Sequence, residues 1–300
     1  MIENFAGIIA GAKDKGPKTI AVAVAQDEDV LKAVGAAHDL GIANAVLIGD
    51  GVAIKSICSN IQLKTTDYEI INVYDKAEAC RHAVQLVRSG KAEILMKGFV
   101  DTSVVLKAVL DKETGLNTGS LLSHVGVLAV QGFDRLFIQS DAAMNIAPTL
   151  EEKAIIIRNA VKVAHALSNP LPKVAVLCAV EKANPKMPAT LDAAGLVSMN
   201  KNGGIGGCIV GGPFALDNAV SIEAARHKGI DHPVAGCADI LITPDIEAGN
   251  ILNKSMEYFA GAQKAGIIMG AGAPIVLTSR ASSGQSKLNS IALAVLAANR

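Results

Sequence analysis

Short, nearly continuous apolar runs recur along this chain, separated by longer segments of helical period, and that alternation constrains the fold more than any other feature. The runs are TIAVAVA (19–25), NAVLIG (44–49), YEIINV (68–73), EILMKG (93–98) and SHVGVLAV (123–130). RLFIQS (135–140), KVAVLCAV (173–180), GCIVGG (207–212), ADILIT (238–243) and PIVLTS (274–279) continue the series. Strands this apolar need cover on both faces, and their alternation with helices calls for parallel βαβ units. Helices are expected over 27–40, 75–89, 101–111, 149–168, 215–228, 246–264 and 285–299. Two starts carry capping chemistry: Asp27 before EDVLKAV, and Thr149 with Glu152 three positions on, a capping box. The fold class is therefore α/β.

Size and composition narrow the function. Three hundred residues, half of them apolar, suffice for two domains with sizeable cores. Net charge is zero and aromatics are 3% with no Trp. Such a chain lacks both the field that draws polyanions and the rings that stack on bases, so a nucleic-acid partner is not expected. The five cysteines are dispersed with no CxxC pair, which suggests neither zinc nor a disulfide framework, and points to a reducing compartment. No secretory leader is evident. The longest uncharged apolar stretch, at 266–277, falls short of the about 20 residues that a bilayer requires. A cytoplasmic location without membrane contact is expected.

Open α/β sheets bind ligands outside the carboxyl ends of their strands. The residues that follow the apolar runs are Lys97, Gly98 and Thr102; Ser140, Asp141 and Asn145; Thr243, Pro244 and Asp245; and Thr278, Ser279 and Arg280. Hydroxyls, amides, one Lys and one Arg form a set suited to oxyanions, and helix N-termini add N–H donors. Lys97 reads equally as a strand-end lysine snorkelling to solvent or as a phosphate ligand. Thr102 reads as a helix cap or a ligand. Ser120, Ser123 and His124 lie in a Gly/Ser-rich turn, where a lone His is more often structural. Asp245, Glu247 and Asn250 open a helix whose dipole both acids would favour.

Nucleotide fingerprints are absent: neither GxGxxG nor GxxxxGK[ST] occurs, nor HExxH or GxSxG. Longer strings are informative. EILMKGFVDTSVVLKAVLD (93–111), RLFIQSDAAMNIAPTLEEK (135–153), GGPFALDNAVS (211–221), ADILITPDIEAGNILNKSM (238–256) and PIVLTSRASSGQSKL (274–288) occur in this order. Together with SHVGVLAV, the set resembles the phosphate acetyl/butyryltransferase family along the whole chain. Without an added N-terminal regulatory domain, the chain is most similar to the butyryl branch.

That resemblance implies two three-layer α/β domains of the isocitrate/isopropylmalate dehydrogenase type with a cleft between them. The first would comprise 1–133 plus 270–300, the second 134–269. It implies CoA as cosubstrate, no permanently bound cofactor, no metal, and a homodimer. It implies a reaction in which a short-chain acyl-CoA and phosphate give acyl phosphate and CoA, with an acetyl-specific enzyme as the neighbouring alternative. Ser279 and Arg280 would be catalytic, Arg280 holding phosphate through its planar fork and Ser279 donating to the tetrahedral intermediate or to phosphate. Lys97, Thr102, Ser120, Ser123, His124, Asp245, Asn250 and Thr278 would bind substrate. One departure stands out. The family commonly carries a carboxylate soon after the Ser-Arg pair, yet no Asp or Glu occurs from 279 to 300, where Ser282, Gln285 and Ser286 stand instead. The base is therefore unassigned, with phosphate oxygens, Asp245 or His124 as substitutes, and a non-catalytic CoA-binding protein or a metal-dependent dehydrogenase on the same scaffold are the rivals.

Overall fold

The computed structural model describes residues 1–279 and 282–298. In chain order its elements begin α1 (Phe5–Asp14), β1 (Lys18–Ala23), α2 (Glu28–Asp39), β2 (Ala43–Gly49), α3 (Gly51–Asn60), β3 (Glu69–Asn72), α4 (Lys76–Arg88), β4 (Ile94–Lys97) and α5 (Thr102–Val109). Then come β5 (Ser123–Ala129), β6 (Leu136–Ser140), α6 (Leu150–Ala166), β7 (Lys173–Leu177), α7 (Pro188–Lys201), β8 (Ile209–Phe214), α8 (Leu216–Val220) and α9 (Ile222–His227). The chain continues with β9 (Ile240–Ile242), α10 (Ile246–Tyr258), β10 (Gln263–Met269), β11 (Ile275–Val276) and α11 (Gly284–Ala297).

Contacts divide the chain into two compact units. One, called the flanking unit for its place in the sequence, is Phe5–Ser120 with the chain from Ala265 onward; the central unit is Met1–Asn4 with Leu121–Lys264. The division falls before β5 because β5 pairs antiparallel with β6, Val127 opposite Ile138, so it joins the strands that follow it. The sequence-based boundary at 133/134 would separate these two strands.

In the flanking unit the strands lie in the order β3-β2-β1-β4-β11-β10. All pairs are parallel except β10–β11. In the central unit the order is β5-β6-β9-β7-β8, with only β5 reversed. The sequence predicts parallel βαβ units throughout. The two exceptions arise where the connection is too short for a helical crossover, at 130–135 and 270–274.

Burial follows the apolar runs. In β1, Ile20 to Ala23 are fully buried, and so are Ile94, Leu95 and Met96 of β4. Leu128, Phe137, Ala175 and Leu241 join Phe214 and Val234 in the core of the central unit. The helix starts are as expected: the Asp27 side chain accepts from Val30 N, and Thr149 with Glu152 forms both halves of a capping box. Three helices, α1, α3 and α7, and strand β10 lie outside the sequence-based segments. The helix expected over 246–264 stops at Tyr258, because β10 begins at Gln263.

Candidate active site

Parallel strands put their carboxyl ends on one edge, and in the flanking unit that edge gathers polar side chains. Ala23, the last residue of β1, sits opposite Lys97, the last of β4, and Val276 of β11 lies opposite Met96. The segments leaving β1, β4 and β11 therefore emerge side by side. Val24 follows β1 with φ of 58°, a conformation that a β-branched residue rarely adopts. Its carbonyl accepts from Phe99 N at 2.7 Å, and a Cβ at Gly98 would collide with that carbonyl oxygen. Gly98 is thus required by close approach of two backbones, and the strained Val24 is held by them.

Lys97 is 7% exposed, and its ammonium turns back to donate to Gly98 O at 3.2 Å and Val100 O at 3.0 Å. It shapes its own loop rather than snorkelling into solvent. Thr102 is half-buried as the first residue of α5, and the N-cap position expected for it belongs to Asp101. Ser120 is exposed, its N–H donating to Thr118 Oγ1 at 3.3 Å. Thr278 is half-buried and Ser279 exposed. Ser279 O accepts from Ser282 N at 3.0 Å, and Ser283 caps α11 by accepting from Ser286 N. Arg280 lies outside the described residues. Beyond the two undescribed positions, Ser282 and Ser283 lead into the N-terminus of α11, and helix N-termini carry N–H groups that suit anions.

The central unit brings its predicted residues to its own carboxyl edge. Since β5 is reversed, its first residues, Ser123 and His124, lie beside the ends of β6 and β9. The hub is Asp141, 4% exposed, which accepts from His124 N at 3.2 Å, Ala143 N at 2.8 Å, Met144 N at 3.1 Å and Asn145 Nδ2 at 2.6 Å. Asn145 also donates to Leu122 O, and Ser140 Oγ donates to His124 O. Thr243 Oγ1 and Asn250 Nδ2 donate to the carbonyls of Asp141 and Ala142 at 3.1 and 3.2 Å. A Cβ at Gly249 would strike Asp141 O and Thr243 Oγ1, which explains the glycine in PDIEAGN.

Several predicted ligands have structural partners here. The fully buried Ser123 hydroxyl accepts from Asn159 Nδ2 of α6 at 2.9 Å. Asp245 is the N-cap of α10, accepting from Ala248 N at 2.8 Å. His124 differs from both. Burial pushes its imidazole below the ordinary value of 6.5; Asp141 opposes that shift and Lys264 reinforces it. Its Nδ1 is buried without a hydrogen-bond partner. A neutral ring with one unmet nitrogen is positioned to meet a hydrogen-bonding ligand.

Sequence reading passed over three buried polar residues. Asn159 ties α6 to β5, Gln139 Nε2 donates to Gly249 O at 2.7 Å, and Lys287 Nζ donates to Ser282 O at 2.6 Å. The signal available for them was a polar residue at an inward position of an otherwise apolar element. Among the described residues, no group of three His, Cys, Asp or Glu is placed to hold a metal, and no helix is long and apolar enough to cross a membrane. Burial pushes the thiols of Cys80, Cys178 and Cys208 up to about 11. They are poor nucleophiles at neutral pH.

Comparison with known proteins adds to this geometry. The chain matches the family described as "Phosphate acetyl/butaryl transferase" over residues 4–81 and 76–295. It is 49% identical over 300 residues to the phosphate butyryltransferase of Clostridium beijerinckii, covering 100% of this chain and 99% of that one. It is 51% identical over 298 residues to the phosphate butyryltransferase of Clostridium acetobutylicum, covering 99% of each. The crystal structure of a branched-chain phosphotransacylase from Enterococcus faecalis superposes with a TM-score of 0.85 at 33% identity, covering 93% of this chain and 98% of that one.

Proposed function

The chain belongs to the phosphate acetyl/butyryl transferase family, and from that premise we propose that it is a phosphate butyryltransferase, exchanging a short-chain acyl group between CoA and phosphate. The observation that carries this reading is near-half identity to named phosphate butyryltransferases from end to end of both chains. CoA enters as cosubstrate, and acyl phosphate is the product.

Transfer needs a held phosphate, a stabilised carbonyl oxyanion and a leaving thiolate. Arg280 grips phosphate with paired donors from the β11–α11 turn. Ser279, exposed on that turn, donates to the tetrahedral oxyanion formed when a phosphate oxygen adds to the thioester carbon. Collapse of that intermediate breaks the C–S bond and releases CoA as thiolate, which then takes a proton. Transfer is direct: Ser279 is not acylated, and the raised thiols of Cys80, Cys178 and Cys208 speak against a cysteine carrier. Lys97, Thr102, Ser120 and Thr278 support this edge, and His124 with Asn250 and Asp245 form the polar edge of the central unit. Initial rates at several fixed phosphate concentrations should give intersecting double-reciprocal lines. Parallel lines would reveal an acyl-enzyme and overturn direct transfer.

The finer features follow from the same premise. A homodimer is supported by α10, which buries only Gly249 and leaves Ile251 and Tyr258 exposed at 67% and 68%, with Phe259 just past its end exposed at 90%. A cytoplasmic location is supported by five unpaired cysteines. An isocitrate/isopropylmalate dehydrogenase type of scaffold is supported by two α/β units, each on a mainly parallel sheet.

A further inference from the structure

The aromatic side chains of the flanking unit are Phe5, Tyr68, Tyr74 and Phe99. Phe5 and Tyr68 are buried, as large apolar side chains usually are. Tyr74 and Phe99 are exposed at 68% and 45%, and both stand at the carboxyl edge, two residues past the ends of β3 and β4. Their backbones are fixed. Phe99 sits between Gly98 and Val100, both buried, and its N–H is bound to Val24 O. Val73 N donates to Gly49 O at 2.8 Å, which fastens the segment before Tyr74 to the end of β2. Holding a ring in water forgoes the stabilisation that its burial would bring. A cation links the two rings: Lys76, two residues beyond Tyr74, places its Nζ 4.6 Å from the centroid of the Phe99 ring. Asp27, Asp50 and Asp75 on the same edge each cap a helix, so the helix ends they bind offset their charge. Two accessible rings with an ammonium between them suit a flat aromatic base that carries phosphate.

We propose that Tyr74, Lys76 and Phe99 recognise the nucleotide end of CoA, the rings stacking on adenine and the ammonium pairing with a phosphate. This rests on the phosphate-transfer reading given above, which supplies CoA as cosubstrate. A ring on a backbone already fixed loses little freedom when a base stacks on it, so more of the contact is realised as affinity. The site holds the end of CoA that takes no part in the reaction, and a thioester without the nucleotide is blind to it.

The test compares Tyr74→Ala, Phe99→Ala, Phe99→Tyr and Lys76→Met with the wild type. Initial rates are measured with butyryl-CoA and with butyryl-pantetheine, which lacks the nucleotide, and the nucleotide end alone is titrated calorimetrically as adenosine 3′,5′-bisphosphate. Losing a stack between base and ring costs about tenfold in affinity, so Tyr74→Ala and Phe99→Ala should each raise butyryl-CoA KM and the bisphosphate Kd together by about that factor. Butyryl-pantetheine KM should stay within about twofold. Phe99→Tyr keeps a ring and should restore most of the affinity. Lys76→Met should weaken bisphosphate binding about threefold and lessen its dependence on salt. All three side chains are exposed, so melting temperatures should stay near wild type. Unchanged butyryl-CoA KM and bisphosphate Kd in both ring variants would overturn the proposal, and so would an equal loss with butyryl-pantetheine. If Phe99→Ala does not fold, Tyr74→Ala and Lys76→Met decide by the same readouts. A wild-type protein that binds the bisphosphate through these rings but shows no phosphate-dependent thiol release would refute the phosphate-transfer reading and leave the nucleotide site standing.

Discussion

The two carboxyl edges are built from similar residue types and yet differ in how deeply those residues are buried. In the central unit Asp141 accepts four hydrogen bonds, Asn145 bridges it to Leu122, and Asp245 caps α10. In the flanking unit Ser279 is exposed, while the buried lysines 97 and 287 donate to the backbone carbonyls of Gly98, Val100 and Ser282. One edge spends its polar groups on its own architecture, with His124 Nδ1 as the exception. The other leaves Ser120 and Ser279 exposed and Thr102 and Thr278 half-buried. Residue type at a strand end therefore marks the edge of the sheet, and burial separates the residues tied into the architecture from those open to a ligand.

The sharpest way to break this comparison is Arg280→Ala. If the β11–α11 turn is the phosphate site, kcat/KM for phosphate should fall by about a hundredfold or more while the melting temperature stays near wild type. A kinetically silent substitution would remove the assignment. Asp141→Ala should behave in the opposite way. It strands several buried donors, so about 3 kcal/mol or more of stability should be lost in denaturant unfolding, ahead of any specific change in KM. A stable Asp141→Ala protein with selectively lost substrate binding would show that the central edge also binds directly.

His124 gives the smallest effect and the finest test. Its folded value lies below 6.5, so below that pH the unfolded chain takes up a proton that the folded protein resists. This contribution to stability is intact above pH 6.5 and declines as the solution becomes more acidic. His124→Asn should flatten that decline, leaving a smaller drop in melting temperature between pH 8 and pH 5.5. A parallel decline in both proteins would mean that His124 is not held neutral by burial.

Much of the fold was legible because the apolar runs need cover on both faces wherever they occur. Strand β10 escaped since QKAGIIM follows a helix and runs into Gly270 and Pro274, so its apolar half merges with β11 into one stretch. Helix α7 escaped because it buries little, with Thr190, Ala193 and Leu196 inward. The site was legible only as a set of strand ends. Sequence gave no means to tell Ser123, tied to Asn159, from Ser279, exposed on its turn. Lys287 was invisible for another reason: a lysine in a helix ordinarily faces water, and only the packing of α11 shows that this one does not.

The central claim is that this chain moves an acyl group between CoA and phosphate. The most direct test measures free thiol released from acetyl-, propionyl-, butyryl- and longer acyl-CoA as phosphate is varied. The account predicts release that saturates with phosphate, requires no added metal, and has its highest kcat/KM on butyryl-CoA. Absence of phosphate-dependent release with every one of these thioesters would contradict it.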